Sequence, residues 1–431
     1  MILRLSESLS RGLVLVASLA LASALSYYGI RTAIAQVESE GQTSKQLERA
    51  TRLEPKNPEY WFRLGHFQQF NLEDPDSTKA AASFQKAISV LPSYTDAWLE
   101  LATTDELNGQ AAEAREAYVK AKQSYPSSAE VAWRYGNFLL REGDLPEAYE
   151  ELRRALQADP LRAAATFSRV YRADPNIDAI LDKVLPATKP VYVDVIAEAA
   201  GSGQLAVART VWTRLLGLQP ELTIRDFDPL VSRLIEAKDD DAARRVWEQG
   251  TGRMNLPPLL RPQGSVVWDP SFESGISGKG FAWNFSPLAQ GVQTEFDATE
   301  KLTGNKSLRV SFDGKHNPNL DVACTMGIVE PGREYLFSGW IKSKELTTEQ
   351  GVRFHIQGMG APSAVRTATQ ELHGTNAWTF VGQSWTAEPG VHRVSICVGR
   401  EPSDNPDVRI SGTAWIEDVN LAPKPMEHPR P

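Results

Sequence analysis

The sequence is poor in the residues that most often carry chemistry. It has two cysteines, Cys324 and Cys397, and six histidines in 431 residues. Both cysteines lie in the last third, and no Cys/His group has the spacing of a zinc site. No Ser-His-Asp or Cys-His constellation, phosphate-cradling glycine loop or spaced pair of catalytic carboxylates stands out, so the chain does not read as an enzyme. A basic balance is missing too: Lys+Arg number 46 against Asp+Glu 54, a formal net charge of −8. This argues against nucleic acid as the main partner, because phosphate binding needs a basic surface. What is present, 42% hydrophobic and 23% charged residues, is enough to bury cores. The length suits two or three domains.

Charge is absent from one stretch altogether. Between Arg11 and Arg31 lie 19 uncharged, mostly apolar residues, 12–30. At ~1.5 Å per residue they nearly span a ~30 Å hydrocarbon core, so residues 1–35 read as a membrane-targeting segment. "AIA" at 33–35 resembles a signal cleavage site. It stands five residues beyond the apolar run, and the run is longer than a typical signal core. An uncleaved single-pass anchor is the preferred reading and a cleaved signal the alternative. Arg4 and Arg11 place the N-terminus in the cytoplasm and residues 36–431 outside it, in a periplasm-like space.

The next region repeats. Pro92, Pro126 and Pro160 stand 34 residues apart. Before each proline runs a pair of amphipathic segments. Small residues recur where two helices would cross, at Gly65, Ala102 and Gly136, then at Ala80, Ala114 and Ala148. Large ones (Trp61, Phe84, Trp98, Tyr118) recur between units. The first full unit carries three extra residues, at the "NLEDPDS" turn. These spacings resemble tetratricopeptide repeats, over 43–160. "SKQLERATRLEP" reads as the second helix of a truncated first repeat. Residues 161–250 keep Ala208, Trp212, Ala243 and Trp247 and read as divergent helical repeats. The resemblance implies an α-helical solenoid with a concave groove for a protein partner. Its lining would be Phe62, His66 and Gln69, then Leu99, Thr103 and Glu106, then Trp133, Asn137 and Leu140. Trp133 stands one place after the usual packing position, held by Ala132. It reads either as a groove anchor or as packing against the next repeat.

After a Gly/Pro linker at 251–265 the period changes. Seven short β-branched or aromatic runs ("SLRVSF", "VACTMGIV", "YLFSGWIKS", "VRFHIQG", "WTFVGQSW", "HRVSICVG", "AWIEDVNL") predict an antiparallel β-sandwich. "DPSFESG", Trp283, "TGNKSLRV", "VEPGREYLFSGWIKS", "NAWTFVGQSW" and "AWIEDVNL" follow in order. This set resembles the jelly-roll carbohydrate-binding modules of families 4, 9 and 22, of galactose-binding-like fold, over 266–423. "WDPSFESG" then reads as the sandwich's opening strand, with Phe272 in the core, and Trp378 reads as a core residue. The resemblance implies a structural calcium joining the two chain ends, held by Glu273 with Glu417 or Asp418. Alternation points Val352, Phe354 and Ile356 inward, so Arg353, His355 and Gln357 share the other face. With Trp340 as a platform, these make the candidate glycan face. Cys324 and Cys397 read as a disulfide or as two buried thiols. Residues 424–431 read as a disordered tail.

Together these readings predict a non-enzymatic, membrane-anchored scaffold outside the cytoplasm. Its repeats would bind a protein and its jelly roll a glycan, in cell-envelope or exopolysaccharide assembly. The rival readings are a pure protein scaffold with a structural sandwich, and an accessory subunit of a glycan-processing enzyme.

Overall fold

The computed structural model describes residues 8–286, 290–360, 365–405 and 408–425. Arg4 and most of the tail 424–431 lie outside them. Fourteen α-helices come first among the described residues: α1 Ser8–Ser39, α2 Ser44–Leu53, α3 Pro58–Phe70, α4 Ser77–Val90, α5 Thr95–Leu107, α6 Ala111–Ser124, α7 Ala129–Glu142, α8 Leu145–Ala158, α9 Ala163–Ala173, α10 Ile177–Lys183, α11 Lys189–Gly201, α12 Leu205–Gly217, α13 Ile224–Glu236 and α14 Asp240–Thr251. Several starts are capped by short polar side chains. Asn57 accepts from Glu59 N, Asp76 from Lys79 N and Ser128 from Val131 N. Helices pair as the 34-residue period requires, α3 with α4, α5 with α6 and α7 with α8. Gly65 and Gly136 mark the tightest crossings. A Cβ there would lie 2.7 Å from the Phe84 ring and 2.7 Å from Leu152 respectively.

The chain divides into two compact units, 1–195 and 196–431. In the first, α1 runs unbroken through residue 35, where the sequence placed the end of the membrane segment. Its last turns pair with α2. In the second unit, α12–α14 accompany the sandwich, although the sequence placed 161–250 with the solenoid. The reason is aromatic. The Trp247 ring lies 5.8 Å from Phe227 of α13, and also 5.0 Å from Trp268 and 6.1 Å from Phe281, beyond the linker. Arg393 adds an ion pair with Asp240 and donates to the Ile235 carbonyl at 2.6 Å.

The strands are β1 Asn284–Phe285, β2 Val292–Asp297, β3 Ser307–Asp313, β4 Leu320–Ile328, β5 Glu334–Leu346, β6 Arg353–Met359, β7 Thr367–Ala368, β8 Gly374–Thr386, β9 Arg393–Arg400 and β10 Ser411–Pro423. They form two antiparallel five-stranded sheets, β1-β4-β9-β6-β7 and β2-β3-β10-β5-β8. Every one of the seven runs read from the sequence falls on a strand. Alternate residues, among them Phe337, Ile341, Phe354, Ile356, Val398 and Ile416, fill the core between the sheets.

"WDPSFESG" is not a strand. It is a tight loop in which the Asp269 carboxylate accepts from Glu273 N and Ser274 N, both at 2.9 Å. Phe272 is buried with its ring 4.7 Å from Trp283, whose indole donates to the Asp269 carbonyl. The loop is stitched to β10 through Val266 N to Leu421 O and Val419 N to Pro270 O. Trp378 is half-exposed on β8 and lies outside the core, because it shares the outward side of the strand with Phe380, while Val381 faces inward. Of the tail, Lys424 is held, by Glu334.

Candidate functional site

The predicted glycan face splits in two. Trp340 lies on β5 and Arg353, His355 and Gln357 on β6, and these strands belong to different sheets. Both sets do point away from the core. Outward on opposite sheets means opposite sides of the sandwich, so Trp340 is no platform for a ligand at His355. The alternation rule assigns a side of each strand, not which sheet the strand joins.

The outward face of β4-β9-β6 is polar. In register across it lie Asp321, Gly399 and Arg353, then Cys324, Cys397 and His355, then Met326, Ser395 and Gln357. Among the described residues, the outward positions of these three strands carry no Trp, Tyr or Phe. Cys324 and Cys397 are directly opposed and form a disulfide. Asp321 accepts from Arg366 at 2.6 Å. Arg353 pairs with Glu401 at 3.3 Å and Glu371 at 3.4 Å. Gly399 lets its neighbours close in, since a Cβ there would meet Asp321 at 2.4 Å and the His355 ring at 2.9 Å.

His355 is the anomaly of this face. It is 2% exposed, and among the described residues neither ring nitrogen has a hydrogen-bond partner. Burial, aided by the charges of Arg366 and Arg353, lowers its pKa to about 3. The ring is therefore neutral at ordinary pH and presents one donor and one acceptor, both unspent. A buried polar group without a partner costs about 1–3 kcal/mol. A cavity of 260 Å³ continues the face, lined by Met326, Met359, Ser395 and the loop at Gly278–Ala282. A larger one of 960 Å³ lies where Asp239, Asp240 and Arg244 meet Arg333, His392 and Arg393, with acids and bases balanced.

The opposite face carries aromatics instead. Trp340 meets Phe380 at 5.6 Å, edge on, and Phe380 is 48% exposed. Beside them Trp415 is covered by Lys342, by Arg309 and by the end of β2, whose Asp297 accepts from its indole at 2.9 Å.

The predicted metal ligands lie at the seam. Glu273 accepts from Asn305 N at 2.6 Å and Lys306 N at 3.3 Å. Glu417 accepts from Leu302 N at 2.6 Å and Thr303 N at 2.8 Å. Both are buried, and no cationic side chain is among the partners described for them. Burial pushes the Glu417 carboxyl up, against its N–H donors, and the Glu273 charge pushes the same way. Two buried carboxylates with uncompensated charge fit a hard cation in charge. They fit less well in coordination, since N–H donors already occupy much of each carboxylate. Asp418 shares none of these donors. It sits at a bulge in β10 with φ of 52°, and burial pushes its carboxyl up.

The helical candidates form a ladder across successive first helices. Gln69 accepts from Thr104 at 2.6 Å, Glu106 from Arg141 at 2.6 Å and Asn137 from Arg169 at 3.0 Å. Thr103 accepts from Arg134. Phe62 leans on Tyr94, 5.3 Å away, and His66 on Phe70, 4.6 Å away. Leu99 is buried and Leu140 half-buried. Trp133 is half-buried under the guanidinium groups of Arg162 and Arg169, at 5.5 and 5.0 Å. It thus packs against the next unit and still faces outward, which joins the two readings of it. Sequence reasoning missed the arginines because they come from a repeat whose pattern has degraded.

Known proteins match both halves. A family model described as tetratricopeptide repeat matches residues 72–129 and 108–163. One described as carbohydrate binding domain matches 264–404. The chain carries tetratricopeptide repeats and a carbohydrate-binding-type jelly roll. Both are non-catalytic kinds of domain. Similar solved structures include PilF of Pseudomonas aeruginosa, at 16% identity over 51% of this chain and 89% of that one, TM-score 0.28. YrrB, a repeat protein with an unusual peptide-binding site, matches at 12% over 49% and 93%, TM-score 0.27. The module TmCBM61, solved with β-1,4-galactotriose, matches at 14% over 37% and 99%, TM-score 0.26. No curated protein matches the chain.

Proposed function

We propose that the chain is a membrane-anchored, extracytoplasmic, non-enzymatic adaptor, whose repeats hold a protein partner and whose jelly roll holds a glycan. A place in cell-envelope or exopolysaccharide assembly uses both halves. The observation that carries the glycan reading is the polar row of β4, β9 and β6, where Asp321, Arg366 and Arg353 surround a neutral His355 without a partner among the described residues. Sugar hydroxyls both donate and accept, which suits a site offering a carboxylate, guanidinium groups and a neutral imidazole together. The repeats support a protein partner through Trp133 and Arg169. The exposed apolar surface of residues 12–30 supports the membrane.

The test is affinity electrophoresis of the full chain through gels containing envelope or exopolysaccharide fractions. Retardation that His355→Ala removes is the expected outcome. Migration unchanged in every polysaccharide, with the sandwich folded, leaves the protein-scaffold reading in its place.

Calcium belongs to the same proposal. Glu273 and Glu417 would hold it, and it would supply the positive charge this seam lacks. Melting with and without a chelator should differ by several degrees in the sandwich transition. An unchanged midpoint removes the metal.

A further inference from the structure

We propose that the apolar helix is not a detachable leader but the opening helix of the repeat array, so that the array starts at the lipid surface without a linker. This rests on reading residues 12–30 as membrane-crossing. Continuity comes first. α1 is one helix from Ser8 to Ser39, and no Pro or Gly interrupts it after Gly29.

Burial comes second. The last turns of α1 do what the first helix of a repeat does for its second. Ala35 is 0% exposed and forms a small core with Ala50 of α2 and Tyr60 of α3, with Leu53 packed against it. Arg31 Nε donates to the Leu53 carbonyl at 2.6 Å, satisfying the end of α2. Thr32 donates to Glu54. The Tyr60 hydroxyl donates to Gln36 at 3.1 Å, and Arg49 pairs with Glu38 at 3.0 Å. These contacts complete the repeat that the sequence presents as truncated.

Contrast along the same helix comes third. From Arg11 to Ile30 every residue is exposed: Leu13, Leu19, Leu25 and Ile30 are each more than 60% exposed. Within about one turn the surface changes from apolar and bare to polar and packed. A cut after Ala35 would remove Arg31, Thr32 and Ala35 and strip the cover from Ala50 and Tyr60. The burial pattern therefore opposes processing at "AIA". With ~1.5 Å of rise per residue, the Ala35 core sits only roughly 8 Å beyond Ile30, which leaves no room for a flexible spacer.

The full chain, tagged at its C-terminus and extracted from membranes in detergent, is weighed intact. The whole 47.6 kDa chain, with or without its first Met, is expected. A protein beginning at Gln36 overturns the proposal. Uncut chain recovered in the soluble fraction overturns the membrane reading and the lipid half of the proposal with it. The packing half has its own arm. In full-length Ala35→Asp, tryptic cleavage after Arg49 and Arg52 should speed several-fold while membrane recovery is unchanged, and Leu19→Ala should change neither. The milder double variant Arg31→Ala, Thr32→Ala should give about a twofold rise and guards against global misfolding of the first. Cleavage rates equal to wild type in both variants overturn the shared helix.

Discussion

The two outward faces of the sandwich are built from the same alternation and finish differently. One carries Trp340 and Phe380, edge to face and partly open. The other carries no aromatic ring at the outward positions of β4, β9 and β6, but holds a buried histidine with two idle nitrogens. An aromatic face is complete as it stands, because a ring in water costs area and nothing more specific. An unpaired buried imidazole is incomplete, because its polar atoms have lost water and gained nothing. Under the proposed function the ligand belongs to the face with the missing hydrogen bonds, not to the one with the apolar surface.

One expected effect breaks this comparison directly. His355→Ala should lower retention by glycan about five- to hundredfold, on the usual worth of about 1–3 kcal/mol for completing a buried polar group. Trp340→Ala should leave retention within about twofold. The reverse result, loss at Trp340 and none at His355, assigns the ligand to the aromatic face. Affinity electrophoresis of the two variants side by side decides it.

A second prediction concerns the floor of the polar face. The disulfide joins directly opposed residues of β4 and β9 and closes a loop of 73 residues in sequence. Such a closure stabilises by about 3–4 kcal/mol. The double variant Cys324→Ser, Cys397→Ser should lower the denaturant midpoint of the sandwich while sparing that of the repeats. An equal fall in both would show that the two units unfold as one.

Much of this molecule was legible in its sequence, and the failures have a common cause. The 34-residue period, the crossing glycines and the seven strands are local patterns, set by spacing along one helix or one strand. The sheet that a strand joins is not local. Trp340 and His355 were put on one face because alternation was read strand by strand, while β5 pairs with β8 and β10, and β6 with β9 and β7. Likewise Trp247 fits a repeat position in sequence, and nothing local announces Trp268 and Phe281 beside it. The idle nitrogens of His355 are the same kind of fact, since alternation predicts its side of the strand but not the absence of a partner there.

A third effect sharpens the comparison by titration, since among the described residues the strands of the aromatic face carry no histidine to match His355. The folded pKa of His355 is about 3 and its ordinary value 6.5. Below pH 6.5 the unfolded chain takes a proton that the folded chain refuses. Its contribution is therefore complete above pH 6.5 and is lost as pH falls, by about 2 kcal/mol at pH 5. The repeats hold a group of opposite sign. Asp105 is buried at the end of α5, and burial, with the nearby charge of Glu113, raises its pKa to about 6. Between about pH 6 and 4 the folded chain keeps a proton that the unfolded chain releases, so this contribution grows as pH falls. His355→Gln should flatten the acid loss of the sandwich transition. Asp105→Asn should stabilise the repeats at pH 7 by about 1–2 kcal/mol and not at pH 4. Chemical denaturation at pH 7, 5 and 4, following each unit by its own protease-resistant fragment, reads both slopes. Should His355→Gln keep the wild-type slope, the imidazole already has a partner, and the contrast between the two faces loses its basis.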